Sequence, residues 1–354
     1  MSGGVDSSVA ALLAVEQGLD CMGSMMKLFS NEDIGESREN SCCSLADAED
    51  ARAVAYKLGI PFYVFNYTDT FKKQVIGRFI EAYQNGETPN PCIDCNRYLK
   101  FDRLLHRARE LDKEYVVTGH YARIEPDVGS GRYLLKKGVD SSKDQSYVLY
   151  TMTQEQLKAT LFPLGGRTKS QVREIALKHG FVNATKHDSQ DICFVQNSDY
   201  ADFIRQYTGK PILEGRFVDM QGKELGTHKG LIHYTVGQRK GLGLPAAAPL
   251  YVCSVCAEDN TVTVGSSEQL YAKTLIARDI NLIPFDTLHA PLQVRAKIRY
   301  KQPEQSATVW QLDSNTIRVE FDRPQRAITK GQAVVIYSDD IVIGGGTINK
   351  IITE

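Results

Sequence analysis

Residues 2–8 read SGGVDSS, and the helix-period run SSVAALLAVEQG begins before that turn has ended. A glycine- and serine-rich turn at a helix N-terminus gathers backbone N–H groups and hydroxyls where phosphate oxygens are attracted. Gly3 and Gly4 let the backbone come close to such a group. The Walker spacing GxxxxGK[ST] is absent, so transfer of a terminal phosphoryl group is not what the turn suggests. The segments that follow alternate: CMGSMMKLF reads as a strand, LADAEDARAVAYKLG as a helix closed by Gly59, PFYVFNY as a strand and YVVTGHY as a short buried strand. That order predicts an α/β, Rossmann-like, mostly parallel sheet with helices on both faces and ligands at the carboxyl ends of its strands. Further on, Thr168 and Gln171 have capping-box spacing and Gly180 is a helix stop, so TKSQVREIALKHG is expected to be a helix just before the loop KHDSQDICF.

The chain has 354 residues, enough for two or three domains. The first is expected to span 1–204. From about residue 205 the texture turns to glycine-punctuated short runs, which predicts a β-rich central domain over 205–276. VRAKIRY, SATVWQL, TIRVEF, AVVIYS and IVIGGGTI then alternate like strands of a small antiparallel barrel, assigned to 277–354. No run of eighteen apolar residues and no signal-peptide pattern is present, so the expectation is a cytoplasmic protein with no membrane partner. The net charge of −1 gives no global pull toward a polyanion, so any such partner must be held by local patches. One candidate is the helix-period stripe of Arg97, Lys100, Arg103 and Arg107, beside an apolar stripe of Phe101, Leu104, Ala108 and Leu111.

Eight cysteines are too sparse for a disulfide-stapled secreted domain. In NPCIDCNRYLKF, Asn96 is expected to N-cap the basic helix, which puts Cys95 at a helix N-terminus near Arg97 and Lys100, where a thiolate is favoured. A half-site for zinc or two ordinary buried thiols are the other readings of Cys92 and Cys95. Cys193 is a lone thiol in a polar loop after a helix, a second candidate that by itself reads as a core residue. Cys253 and Cys256 fall in a strand pattern and read as packing residues, and Cys42 and Cys43 as filler before a helix.

SGGVDSS resembles the signature of the PP-loop ATP pyrophosphatases. Together with NPCIDCNRYLKF, TGHYAR, KDQSYVLY, SQDICF, GQRKGLG and FDRPQRAITKGQ, in order along the chain, it is similar to the tRNA-specific 2-thiouridylase family. The resemblance implies an enzyme that uses ATP and Mg²⁺ to adenylate the 2-carbonyl oxygen of the wobble uridine of tRNA, then replaces that oxygen with sulfur. It implies that Ser2, Gly3, Gly4, Val5, Asp6, Ser7 and Ser8, with Gly119 and Met26, contact ATP, and that Asp6 helps organise Mg²⁺. Cys193 would carry a persulfide received from a sulfur-donor protein and Cys95 would be the nucleophile, leaving a Cys95–Cys193 disulfide to be reduced, or releasing hydrogen sulfide in an alternative order. Asn90, Pro91 and Cys92 would border the flipped target base. His120, Lys143, Asp144, Gln145, Arg299, Tyr300 and Gln332 would touch tRNA. On residues alone, His120 reads as a satisfied loop histidine and Arg299 as a solvated strand residue.

Two departures from the family pattern stand out. Cys92 occupies a position where many members carry Asp, so a disulfide with Cys95, a metal site or an iron–sulfur site becomes conceivable. Relatives also run an apolar strand into the phosphate loop, whereas this chain begins inside it. Burying about five apolar residues at roughly 1.5–3 kcal/mol each rivals a domain's net stability of about 5–15 kcal/mol, so the expectation is a natural start upstream of Met1, testable by intact mass. The competing functions are another PP-loop adenylating synthetase with a small-molecule acceptor, and a non-catalytic tRNA-binding or sulfur-carrier protein.

Overall fold

The computed structural model describes residues 1–30, 45–187, 192–195 and 200–353. Cys42 and Cys43 lie outside these residues, as do the first three residues of SQDICF. The chain divides into two compact units, one formed by 1–75, 92–198 and 340–342, the other by 76–91, 199–339 and 343–354.

In the first unit, helix α1 (Val5–Glu16) starts directly from the phosphate loop and ends before Gly18, whose φ of +77° suits glycine. Val5, Val9, Leu12 and Leu13, at i, i+4, i+7 and i+8, form its buried face. They pack with Val172 and Ala176, with Phe181, and with Tyr121 and Val54 in one core. Each fully buried Val or Leu contributes about 1.5–3 kcal/mol, so this cluster fixes the floor beneath the loop. Strand β1 (Gly23–Lys27) is followed by α2 (Leu45–Lys57) and β2 (Phe62–Asn66), and β1 pairs parallel with β2 from Gly23 opposite Phe62 to Lys27 opposite Asn66.

A long helical stretch follows: α3 (Thr68–Phe71), a π-helical segment Lys72–Ile76, and α4 (Gly77–Gln84), which belongs to the second unit. Helix α5 (Pro91–Cys95) runs without interruption through a second π-helical segment, Asn96–Arg103, into α6 (Leu104–Glu110). Asn96 is therefore not an N-cap. Proline fits the first position of a helix because its missing N–H would be unbonded there anyway, and Pro91 moves the start five residues upstream. The wide π turns also shift the buried face: Leu99, Phe101 and Leu105 are buried, while Leu104, Ala108 and Leu111 are only partly so.

Strand β3 (Val116–Val117) comes next, then the hairpin β4 (Ala122–Pro126) and β5 (Tyr133–Lys137), helix α7 (Gln154–Lys158) and β6 (Thr160–Leu161), which pairs parallel with β3. The α/β expectation holds. Among the described residues of the first unit, though, the parallel strands form two separate pairs, β1 with β2 and β3 with β6. Helix α8 (Lys169–Lys178) has the expected capping box of Thr168 and Gln171, and Gly180 follows it at φ +57°.

In the second unit, α9 (Tyr200–Thr208) stacks Tyr200 on Tyr83 of α4, with ring centroids 5.8 Å apart. Strands β7 (Gly215–Val218), β8 (Glu224–His228), β9 (Tyr251–Cys256) and β10 (Thr261–Gly265) form a sheet in the order β8-β7-β10-β9 around Phe217, Tyr234, Val252 and Val262. Strands β11 (Tyr271–Leu282), β12 (Leu292–Lys297), β13 (Gln305–Asp313), β14 (Thr316–Arg326), β15 (Ala333–Ser338) and β16 (Ile341–Ile352) make the antiparallel barrel, in the order β11-β14-β13-β12-β15-β16. Pairing of β11 with β16 closes it. Among the described residues no helix is long and apolar enough to cross a membrane.

Candidate functional site

Gly4 takes the N-cap position of α1 and makes no side-chain cap hydrogen bond to the first N–H groups of the helix. The hydroxyls of Ser7 and Ser8 turn back and donate to the Gly4 carbonyl, each at 3.0 Å. Ser8 is fully buried and acts as a brace. Gly3 has φ +71°, and a Cβ there would lie 2.5 Å from the Asp47 carbonyl oxygen, so only glycine fits. A Cβ on Gly119 would lie 2.7 Å from the Asp6 carbonyl carbon and 2.9 Å from the Ser7 nitrogen, which sets the TGHY turn directly against the start of α1. These two positions explain why the cradle is built from glycine.

Side chains distant in sequence hold the loop. Asn183 donates through Nδ2 to the Gly3 carbonyl at 2.9 Å and to Ser8 Oγ at 3.0 Å, while its Oδ1 is buried with no partner among the described residues. Lys186 reaches Asp47 at 2.6 Å and Asp50 at 2.7 Å. Burial pulls its pKa down, but the two carboxylates outweigh that and hold it above lysine's ordinary value. Asp6 accepts from the Tyr121 hydroxyl at 2.8 Å and from Lys169 Nζ at 2.8 Å on both carboxylate oxygens.

His120 is 8% exposed, with Nδ1 2.8 Å from Thr118 Oγ1 and its ring 5.7 Å from those of Phe101 and Phe162. Burial first, then the Lys100 charge, drives its pKa well below 6.5, so it is neutral and offers no cation to a phosphate at neutral pH. Gln145 bonds both ways with the Tyr121 backbone, its Oε1 accepting at 3.0 Å and its N–H donating at 2.9 Å. Asp144 accepts from the Gly138 and Ser146 amides and the Ser146 hydroxyl. Both side chains therefore shape the turn behind the phosphate loop. Met26 is half-buried on β1, and the Lys143 amide donates to the Asp140 carbonyl at 3.0 Å.

Cys92, Cys95 and Cys193 are in no disulfide, Cys92 exposed and the other two half-buried. Cys95 sits one turn inside its helix rather than at the N-terminus, so the backbone N–H groups of the first turn lie nearer Cys92. Even so, protein crowding Cys92 raises its thiol pKa, against a smaller opposing pull from Lys100. Next to Cys95, the buried Asn96 donates to the Val148 carbonyl at 3.1 Å. Phe194, next to Cys193, is 1% exposed and packs edge-on against Phe71 at 5.6 Å. Among the described residues no cluster of three or more His, Cys, Asp or Glu is placed to hold a metal. Cys253 and Cys256 lie on β9, as the strand pattern implied.

The other expected residues belong to the second unit. Gln332 donates to the Thr88 carbonyl at 2.8 Å and the Pro89 carbonyl at 3.4 Å, next to Asn90 and Pro91. Arg299 donates to the Ala327 carbonyl at 2.6 Å and to Thr329 Oγ1 at 3.2 Å, and is thus engaged within the barrel rather than merely solvated. Tyr300 is 36% exposed. Sequence reasoning missed Lys169, Tyr121, Asn183 and Lys186. The one local signal was a lysine in the first turn of α8, where the helix dipole disfavours a cation.

Residues 1–197 match the family described as tRNA methyl transferase HUP domain, 201–266 the tRNA methyl transferase PRC-barrel domain, and 272–348 the aminomethyltransferase beta-barrel domain. The chain is 53% identical over 350 residues to a tRNA-specific 2-thiouridylase MnmA of Clostridioides difficile, covering 99% of this chain and 97% of that one. It is 50% identical to the protein of that name from Clostridium acetobutylicum, covering 98% of both chains. With the one from Acetivibrio thermocellus the identity is 51%, over 98% of this chain and 97% of that one. A solved NMN synthetase from Francisella tularensis is 18% identical with a TM-score of 0.33, over 60% of this chain and 76% of that one, a likeness too slight to carry an argument.

Proposed function

The chain belongs to the tRNA-specific 2-thiouridylase family, and from that premise we propose how its residues carry out ATP-dependent 2-thiolation of the wobble uridine of tRNA. The observation that carries the reading is the phosphate loop itself: an uncapped helix start, with glycines forced at 3 and 119 where a backbone must come close.

ATP lies with its phosphates at the start of α1. The uridine 2-carbonyl oxygen attacks the α-phosphorus, an O–P bond forms, and pyrophosphate leaves with the electron pair of the broken bond. The carbonyl carbon now bears a good leaving group. The terminal sulfur of a persulfide on Cys193 attacks that carbon, and AMP departs with the C–O bonding pair. Attack of the Cys95 thiolate on the Cys193 sulfur then breaks the S–S bond to the substrate, leaving the thiocarbonyl on the base and a Cys95–Cys193 disulfide. An external thiol reductant, supplying two electrons and two protons, restores both thiols. In the alternative order Cys95 attacks the persulfide first, and the hydrogen sulfide released is the nucleophile. Asn90, Pro91 and Cys92 border the extruded base. His120, Lys143, Asp144, Gln145, Arg299, Tyr300 and Gln332 form the tRNA-facing set, with His120, Asp144 and Gln145 acting through the shape of their turn.

Mg²⁺, when bound with ATP, would neutralise phosphate charge, and Asp6 would help hold it. The donor set fits an ion that arrives with its nucleotide, since Mg²⁺ commonly takes one or two carboxylates plus substrate phosphates, and Asp6 is the carboxylate at the loop. The sulfur reaches Cys193 from a sulfur-donor protein, the division of the chain is 1–204, 205–276 and 277–354, and the tRNA substrate supports a cytoplasmic location.

The test is incubation with ATP, a persulfide donor and unmodified tRNA, reading pyrophosphate and thiolated nucleoside. The expected result is release of pyrophosphate only with tRNA present, retained by Cys193→Ser while thiolation is lost. Pyrophosphate released without tRNA, on addition of a small molecule, would favour the synthetase reading.

A further inference from the structure

Lys169 is the first residue of α8 and only 9% exposed. Its Nζ lies 2.8 Å from each carboxylate oxygen of Asp6, the second residue of α1, and its backbone N–H donates to Asp140 Oδ2 at 2.9 Å. The position is costly in two ways: the amino end of a helix repels a cation, and taking an ammonium out of water incurs a desolvation penalty that ion pairing often only balances. As a stabilising device the pair is weak. Its location gives it another use.

Asp6 puts a negative charge where a polyphosphate has to dock. A nucleotide carrying several negative charges meets repulsion there unless that carboxylate is neutralised. The ammonium does this through contacts to both carboxylate oxygens. The Tyr121 hydroxyl, 2.8 Å from Asp6 Oδ1, keeps hold of the carboxylate if the ammonium turns away. Asn183, which is 3% exposed, braces the loop by donating to the Gly3 carbonyl and to Ser8 Oγ.

We propose that Lys169 is a phosphate-binding residue of the nucleotide site, its ammonium moving from Asp6 onto the non-bridging oxygens of the β- and γ-phosphates of ATP and staying with the pyrophosphate as it leaves. Asp6, anchored by Tyr121, is then free to face Mg²⁺. This rests on the nucleotide reading of the phosphate loop. The pair is thus an exchangeable counter-ion that stands in for the ligand when the site is empty.

Equilibrium binding of ATP, inorganic pyrophosphate and AMP, each with Mg²⁺ and with chelator, tests it on the unmodified protein, Lys169→Met, Asp6→Asn and the double variant. Lys169→Met should weaken ATP and pyrophosphate by about tenfold or more, the scale of one charge-assisted hydrogen bond, and leave AMP within about twofold. The same loss should persist in the Asp6→Asn background. If it disappears there, Lys169 only neutralises Asp6, and the proposal fails. It fails equally if AMP suffers as much as ATP. Lys169→Gln, near in size and able to hydrogen-bond, must show the same phosphate-selective loss if Lys169→Met does not fold. An unmodified protein that binds no ATP overturns the nucleotide reading itself, whereas normal ATP binding by both Lys169 variants overturns this assignment alone.

Discussion

The side-chain amide of Gln332 donates to the backbone carbonyl of Thr88 across 244 positions of sequence, at 2.8 Å. The Thr88 amide in turn donates to the Lys330 carbonyl at 2.9 Å, and a Cβ on Gly331 would lie 2.9 Å from the Thr88 nitrogen. The barrel segment 329–332 thus grips the turn that carries Asn90. Gln332→Ala removes one neutral hydrogen bond, about 0.5–1.5 kcal/mol, and should speed amide exchange at Thr88 by about two- to tenfold. Unchanged exchange across 86–90 would show that the grip is held elsewhere.

His120 gives a pH dependence with a definite sign. Its folded-state pKa lies well below 6.5, so on acidification the unfolded chain takes up a proton that the folded one refuses. Its contribution is therefore complete above about pH 6.5 and is lost as pH falls below that, with a limiting slope of about 1.4 kcal/mol per pH unit. Urea denaturation from pH 7.5 to 5 should show the slope, and His120→Gln should flatten it.

Gly119→Ala and Gly4→Ala form a contrasting pair. The first pushes a methyl group to 2.7 Å from the Asp6 backbone and should cost about 1–3 kcal/mol while weakening ATP binding. The second meets nothing nearer than Ser2 Oγ at 3.6 Å, at a φ of −90°, and should change stability by no more than about 0.5 kcal/mol. Equal thermal shifts in the two would contradict the close approach.

Asn96→Ala strands the buried Val148 carbonyl, which Asn96 Nδ2 serves at 3.1 Å. The loss should be about 1–3 kcal/mol in chemical denaturation, far above that of a surface change such as Arg109→Ala.

Local patterns carried much of the fold. The Thr168–Gln171 capping box, the stop at Gly180 and the alternation of the barrel strands are each written within a dozen neighbouring residues. The helix through Cys95 was misread because a 3.6-residue period fails in π turns, and because Pro91 is a better helix start than Asn96 is a cap. The glycines and serines of the loop were legible, but the side chains that hold them were not. Lys169 is 163 residues from Asp6 and Asn183 is 180 from Gly3, distances at which no periodicity survives. Tyr121, inside TGHYAR, was in view yet gave no sign that its hydroxyl meets Asp6.

The seat of Phe194 against Phe71 bears on how far sulfur can travel. Its ring is 5.6 Å from that of Phe71, which in turn lies 5.8 Å from Phe29, and all three are almost wholly enclosed. Cys193 is the very next residue, and adjacent Cα atoms are about 3.8 Å apart. While that ring stays docked, the Cys193 thiol, the sulfur carrier of the proposed mechanism, is on a short leash: its radius of delivery is the length of a cysteine side chain plus one extra sulfur. The base must then be brought to the sulfur, not the sulfur to the base.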